Sequence, residues 1–460
     1  MYISGLAKLQ GGAADAALKP LMVEYEQYRS KNLKLDIQRG RPSTEQLDIG
    51  AGMLDWGDAS FICEDGNDAR NYGCSIEGAP EARALFAAMF GVESKNVIAW
   101  GNSSLNIMYD VLVKAMLFGV YGAAKPWFAQ ALESGEKMKF LCPVPGYDRH
   151  FFMTGSLGFE MINVDMHSDG PDMDAVEKLV AEDPMVKGIW NIPKYHNPTG
   201  ITYSDETVRR FASLKPKAAD FRIFWDNSYM VHDLYDESDS LLNLFAEAKK
   251  HGNEDLVYMF TSSSKITFAG SGITALAASE NNIQNIAKQF SVQTICPDKL
   301  NQLRHVRYIK DPVNLAEIMK KHAAIIRPKF EIVRNILDEE FRGGQGGSGC
   351  DICEWTNPRG GYFFSLNAPD GCAKEALRLA AEAGVRLTPA GATFPNGADP
   401  RDRNIRIAPT VPSADELEAA MRVLSLCIKI AYLSKKKLMW GKPHTPSRQG
   451  KCDFPCLTRA

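Results

Sequence analysis

Short runs of β-branched and aromatic residues recur along the first two thirds of the chain, separated by longer stretches whose apolar residues fall at helical spacing. Runs at Val97–Trp100, Phe140–Val144, Glu160–Val164, Gly188–Ile192, Arg222–Trp225, Val257–Phe260 and Ile273–Ala278 predict buried strands. Helical patterns lie between most of them, at Asp174–Glu182, Asp205–Leu214, Leu241–His251 and Asn282–Gln289. Strands buried on both faces read as continuous apolar runs, so this alternation predicts an α/β fold on a seven-stranded, mostly parallel sheet. Ser204, followed by Asp205 and Glu206, is expected to cap its helix, with acidic residues in the first turn.

The texture changes after about residue 310. A long helical stretch, Pro312–Glu340, leads into the glycine-rich segment Gly343–Gly349. Short strands are expected at Tyr362–Leu366 and Arg386–Thr388, and helices at Cys372–Ala383 and Ala414–Leu433. This predicts a smaller α+β domain of residues 1–48 and 311–434, which includes a helix near Leu18–Lys31, beside a large domain of residues 49–310. Residues 435–460, basic and rich in turn formers, are expected to form a tail.

Composition narrows the function classes. A chain of 460 residues can bury a sizeable core, and its net charge of −3 gives no electrostatic reason to expect nucleic acid or an anionic membrane as partner. The longest apolar runs, such as Ala84–Phe90, are too short to span a bilayer, and Met1–Gln10 does not read as a signal peptide, so a cytoplasmic protein is expected. The ten cysteines do not read as a disulfide framework. Cys350, Cys353, Cys452 and Cys456 would suffice for a zinc site; reduced thiols are the simpler reading.

Several polar residues stand where strands end. Lys265 follows Val257–Phe260 in Thr261-Ser262-Ser263-Ser264-Lys265, placed to reach a cleft, although most lysines are solvated surface charges. Asp226 ends an apolar strand, where a carboxylate is costly unless paired; it is either a structural cap or the partner of a protonated ring nitrogen, with Tyr229 aimed at the same cleft. Asn197-Pro198-Thr199-Gly200 reads as a loop, with glycine allowing positive φ. In Gly101-Asn102-Ser103-Ser104, hydroxyls meet the N-terminus of a helix starting near Leu105, which makes either an anion site or an N-cap. Tyr147, in Pro145-Gly146-Tyr147, offers a face for ring stacking or packs in an ordinary turn. Arg406, in Asn404-Ile405-Arg406-Ile407, clamps a carboxylate or makes a salt bridge.

In this order, these motifs resemble the fold-type-I, aspartate-aminotransferase-like family of pyridoxal-phosphate (PLP) enzymes. The resemblance also takes in Leu35-Asp36-Ile37-Gln38-Arg39-Gly40-Arg41-Pro42, Tyr72, Gly78-Ala79-Pro80-Glu81-Ala82-Arg83 and Gly360-Gly361-Tyr362-Phe363, and spans about residues 35–430. It implies the PLP-transferase fold of type I, PLP as cofactor and an aminotransferase acting on amino acids and 2-oxo acids. It implies that Lys265 carries the cofactor and moves the substrate proton, and that Asp226 pairs with the pyridine nitrogen. Asn197 and Tyr229 would hold the ring's 3′-oxygen, Tyr147 would stack on the ring, and Ser103, Ser104 and Ser262 would bind the phosphate. Arg406, with Asn197 beside it, would take the substrate carboxylate. Tyr72 would reach the phosphate of a neighbouring subunit, which implies a homodimer.

One departure stands out. Most relatives carry an arginine shortly after the lysine, but Ile266–Thr274 contains no basic residue. That stretch, with Trp100-Gly101-Asn102-Ser103-Ser104 and Tyr195-His196-Asn197-Pro198-Thr199-Gly200, resembles a divergent bacterial branch related to the aminotransferase-like domain of MocR-type regulators. No winged-helix domain is expected before the first motif at Leu35. The alternatives are a PLP-dependent lyase or decarboxylase and a non-catalytic PLP-binding regulator. Aspartate or glutamate, with 2-oxoglutarate as acceptor, is the favoured substrate pair. A second carboxylate needs a second cation, for which Arg39 is favoured over Arg41 and Arg359.

Overall fold

The computed structural model describes residues 6–9, 11–73, 75–343 and 352–440. The main sheet contains β1 (Val97–Ala99), β2 (Lys139–Val144), β3 (Glu160–His167), β4 (Val186–Asn191), β5 (Arg222–Asp226), β6 (Val257–Ser262) and β7 (Thr274–Ala277). Their spatial order is β1-β7-β6-β5-β4-β2-β3, and a two-residue strand, Gly170–Pro171, is added beyond β3 as an eighth. The pairs β3/β2, β2/β4, β4/β5 and β5/β6 are parallel, whereas β7 is antiparallel to both its neighbours. All seven expected strands are present, and the fold is α/β with a mostly parallel sheet.

Every residue of β4, β5 and β6 is buried, which their unbroken apolar runs require. Alternate side chains enter two cores. Ile223 and Trp225 point into one with Ile189 and Met259, while Phe224 points into the other with Trp190 and Phe260.

The helices that bear on the site are α1 (Gly11–Ser30), α2 (Ser104–Phe118), α3 (Asp148–Ser156), α4 (Lys299–Ile309), α5 (Pro312–Arg342) and α6 (Ala414–Trp440). Ser204 caps Asp205–Ala212, its side chain accepting from the Thr207 amide. The helix Pro80–Phe90 escapes a periodicity reading because Pro80-Glu81-Ala82-Arg83-Ala84-Leu85-Phe86-Ala87-Ala88-Met89-Phe90 is apolar almost all round.

A second, antiparallel sheet pairs Glu354–Trp355 with Phe364–Asn367 and the latter with Asn404–Ile407, which sets Arg406 opposite Ser365. The strand expected from Tyr362 begins only at Phe364, because Gly361 takes φ +78° and turns Tyr362 toward the main sheet. Leu35–Asp36 pairs in parallel with Val385–Arg386. Tyr25 of α1 lies in the same core as Phe330 of α5 and Leu424 of α6, and donates to the Leu379 carbonyl at 3.1 Å.

One expectation about the C-terminal part needs amendment. The segment read as tail starts as helix, since α6 continues through Lys435-Lys436-Lys437 to Trp440; lysine suits a helix, and Lys436 Nζ donates to the Leu9 carbonyl at 3.0 Å. Of the four cysteines considered for zinc, Cys353 is buried and Cys350, Cys452 and Cys456 lie outside the described residues. No cluster of three His, Cys, Asp or Glu side chains suited to a metal occurs among the described residues.

The loop carrying Asn197 depends on Gly200, which has φ +69° and packs against Pro358, where a β-carbon would overlap the proline ring. Gly200→Ala is therefore expected to cost about 2–4 kcal/mol, from left-handed backbone and overpacking together. Chemical denaturation checks this; an unchanged stability would show that the loop relaxes freely.

Candidate active site

The carboxyl ends of β1, β2, β4, β5 and β6 open on one side of the sheet. In an open α/β sheet this is where a ligand crevice forms. A cavity of about 190 Å³ lies there. Its wall includes Ser103, Ser104, Tyr147, Asn197, Asp226, Tyr229, Ser262 and Lys265, so eight residues singled out in the sequence converge. A larger hollow of about 650 Å³ between Met89, Leu234 and α5 contains none of them.

Lys265 sits three residues beyond the end of β6. Its Nζ lies 5.0 Å from the centroid of the Tyr229 ring and 5.7 Å from that of Tyr362. Withdrawal from water lowers the Lys265 pKa below its ordinary value, against an opposing pull from the Asp226 carboxylate. Tyr362 is held from behind by Gln46, whose Nε2 donates to the Tyr362 hydroxyl at 2.9 Å and to His322 Nδ1 at 3.2 Å. That leaves the proton of His322 on Nε2, which donates to the Ile266 carbonyl at 3.0 Å.

Asp226 is 3% exposed at the end of β5. Its Oδ1 accepts from Ser228 Oγ at 2.5 Å, and its Oδ2 lies 3.1 Å from His150 Nε2. The His150 ring stacks on Trp190 at 4.2 Å and 11°, and the Trp190 indole donates to Thr154 Oγ1 at 2.8 Å. Sequence reasoning missed both partners of the carboxylate. The available signal was physical: a buried strand-end aspartate needs donors, and His150 stands in the first turn of the helix that follows Tyr147.

Ser103 precedes α2 with extended backbone (φ −152°, ψ 149°), and no side chain caps the helix start. Its hydroxyl donates to Asn106 Oδ1 at 2.9 Å, and the Ser262 hydroxyl to Ser264 Oγ at 3.2 Å. Free amides at a helix start, beside several hydroxyls, form an anion cradle. The cation missing after Lys265 has a neighbour in Arg304 of α4, which donates to Ser271 Oγ at 2.7 Å without lining the cavity.

Arg406 is 5% exposed. Its Nη1 donates to Asp148 Oδ1 at 2.7 Å and to Asn197 Oδ1 at 3.3 Å. Its Nε and Nη2 donate to Thr388 Oγ1 at 3.3 and 3.1 Å.

Three residues named from the sequence do not line this cavity. Arg39 is exposed and does not line the cavity; Arg41 does. Between them Gly40 packs against the Phe363 ring, and the Arg41 amide bonds back to the Arg39 carbonyl at 2.9 Å, so the turn sends the two side chains apart. Arg359 pairs with Glu237 at 3.2 Å on the rim of a separate hollow. Tyr72 is 74% exposed, in a loop that buried Lys299 grips through the Asn71 and Gly73 carbonyls.

Buried histidines around the site give a pH dependence. Burial lowers the pKa of His196 to about 3 and of His305 to about 4, against 6.5 in the unfolded chain. His305 anchors the turn after Lys265 through Thr267 Oγ1 at 2.9 Å. Between the two pKa values the unfolded chain binds more protons, so this stability is complete above pH 6.5 and is lost as pH falls toward 4. Between pH 6.5 and pH 4.5, His305→Gln is expected to lose about 2 kcal/mol less than the parent protein. Denaturant melts at both pH values check it; equal losses would mean that His305 becomes protonated inside the fold.

Comparison with known proteins fits this geometry. The family described as aspartate amino-transferase matches residues 9–440. An aspartate aminotransferase of Corynebacterium glutamicum is 42% identical over 409 residues, covering 89% of this chain and 92% of that protein. The crystal structure of an aspartate transaminase from Corynebacterium glutamicum superposes with a TM-score of 0.88 at 40% identity, covering 94% of this chain and 99% of that one. The structure of an aminotransferase-like protein from Corynebacterium diphtheriae superposes with a TM-score of 0.85 at 44% identity, covering 90% of this chain and 100% of that one.

Proposed function

The chain belongs to the aspartate aminotransferase family and is a PLP-dependent aminotransferase, and we propose that it moves the amino group of aspartate or glutamate to a 2-oxo acid such as 2-oxoglutarate. The observation that carries the site assignment is the hydrogen bond from Arg406 to Asn197, which joins a carboxylate-binding cation to the cavity around Lys265.

The residues present suit the cofactor. A half-buried lysine with a lowered pKa, a buried carboxylate and a hydroxyl-lined helix start are the donor and acceptor set that an aldehyde-bearing pyridinium phosphate needs. When bound, the cofactor supplies an electron sink for the charge left at the substrate Cα. Lys265 would hold it and, once free, its Nζ would take and return the Cα proton, a task for which a neutral amine is required. Asp226, which accepts from Ser228 Oγ and lies 3.1 Å from His150 Nε2, would hold the proton on the ring nitrogen. Asn197 and Tyr229 would bind the ring's 3′-oxygen, Tyr147 would stack on the ring, and Ser103, Ser104 and Ser262 would take the phosphate.

Arg406 would bind the α-carboxylate of the substrate. Its guanidinium is anchored by Thr388 and Asn197 and therefore preorganised. For the second carboxylate the reading uses Arg41, whose exposed side chain lines the cavity, in place of Arg39. The exposed Tyr72, on a loop fixed by Lys299, supports a homodimer in which it reaches the neighbour's phosphate site. We place the enzyme in the cytoplasm; among the described residues no helix is long and apolar enough to cross a membrane.

Lys265→Ala is expected to abolish turnover while the protein stays folded, because a methyl group can neither hold the cofactor nor carry the proton. Steady-state assays and far-UV circular dichroism check this, and parent-like turnover would remove Lys265 from the site. Aspartate is expected to exceed alanine and phenylalanine in kcat/KM. Arg41→Ala should lower the aspartate value by about tenfold or more and leave alanine nearly unchanged. Better activity on alanine in the parent would end the dicarboxylate reading; an aspartate value unaffected by Arg41→Ala would clear only that residue.

A further inference from the structure

We infer that Asp148 is a resident counter-ion that the substrate carboxylate displaces from Arg406, so that carboxylate binding at this site is an exchange of one anion for another. The inference rests on the reading of Arg406 as the α-carboxylate receptor.

The geometry of the guanidinium carries it. Arginine offers five N–H donors in a fixed fork, and an incoming carboxylate is best bound by two parallel donors. Here Nε and Nη2 reach Thr388 Oγ1, while Nη1 is shared between Asn197 Oδ1 and Asp148 Oδ1. Only one Nη2 hydrogen remains unassigned in this arrangement. A bidentate anion therefore has to clear a resident partner.

The three residents are not equally free to leave. Thr388 and Asn197 are 4% and 2% exposed, so their polar groups would be stranded without water. The Asp148 side chain is 32% exposed and can turn outward into solvent. It is also the first residue of α3, so a released carboxylate remains near a helix N-terminus that favours negative charge. Of the three, Asp148 alone carries a formal negative charge, which makes its replacement by a substrate carboxylate neutral in charge.

Two consequences follow for the reaction. In the resting enzyme Asp148 keeps a nearly buried cation paired, which an empty site would not. During turnover its return competes with the bound product and favours departure. Asp148 is thus a positioning residue that acts through Arg406: it lowers affinity for every carboxylate ligand and speeds release.

The test uses the holoenzyme and succinate, a dicarboxylate with neither an amino nor an oxo group to react. Binding is measured by titration calorimetry for the parent, Asp148→Asn, Asp148→Ser and Arg406→Gln. Asparagine keeps an acceptor for Nη1 but removes the charge, and serine removes both without adding bulk. Both Asp148 variants are expected to bind succinate about threefold to tenfold more tightly, the range in which a half-exposed competing charge acts. The KM for the amino acid should fall by a similar factor, with kcat unchanged or lower. Arg406→Gln should abolish binding. Unchanged or weaker succinate binding in Asp148→Asn, alongside loss in Arg406→Gln, would overturn the exchange and leave the proposed function standing. Undiminished binding in Arg406→Gln would remove the carboxylate receptor itself, and both readings with it.

Discussion

Asp226 brings a carboxylate to the end of a strand that is buried along its whole length, and its surroundings are arranged around that cost. An ionised carboxylate out of water is tolerated only with close donors. Ser228, two residues on, supplies one from its own loop; His150 supplies the other from α3. His150 in turn is fixed by stacking on Trp190 in β4, which is tied to Thr154 of α3. The helix after Tyr147 is thereby bound to the centre of the sheet, and the same helix begins with the aspartate that holds Arg406. Strand-end carboxylate, helix placement and the Arg406 guanidinium form one connected set of contacts.

Lys265 depends on this set from the other side. Lying between the rings of Tyr229 and Tyr362, its amine is drawn toward the neutral form by burial and back toward the charged form by Asp226. The net effect is a lowered pKa, which brings the neutral, proton-accepting amine within easier reach. The Gln46–His322 pair supports Tyr362 from outside the cavity, so residues before the first strand of the main sheet help to shape its centre.

Much of this was legible in the chain because parallel strands announce themselves as apolar runs, and the residue just beyond each run marks the crevice. Asp226, Lys265, Asn197, Tyr147 and the Ser103 pair were found that way. What was not legible are contacts made across the sheet. The His150–Asp226 contact joins residues 76 positions apart, and nothing local in either segment specifies it. That Arg41 lines the cavity and Arg39 does not goes with the packing of Gly40 against Phe363, in the second sheet region. The helix Pro80–Phe90 was hidden for the opposite reason: it is apolar on too many sides to show a period.

The central claim is that this constellation transfers an amino group reversibly. The most direct measurement is the absorbance of the holoenzyme as L-aspartate is added without an acceptor, followed by addition of 2-oxoglutarate. The account requires stoichiometric conversion of the cofactor to its amino form, release of one 2-oxo acid per site, and full return of the starting spectrum on adding the acceptor. Release of carbon dioxide or ammonia with no accumulation of the amino form would contradict it.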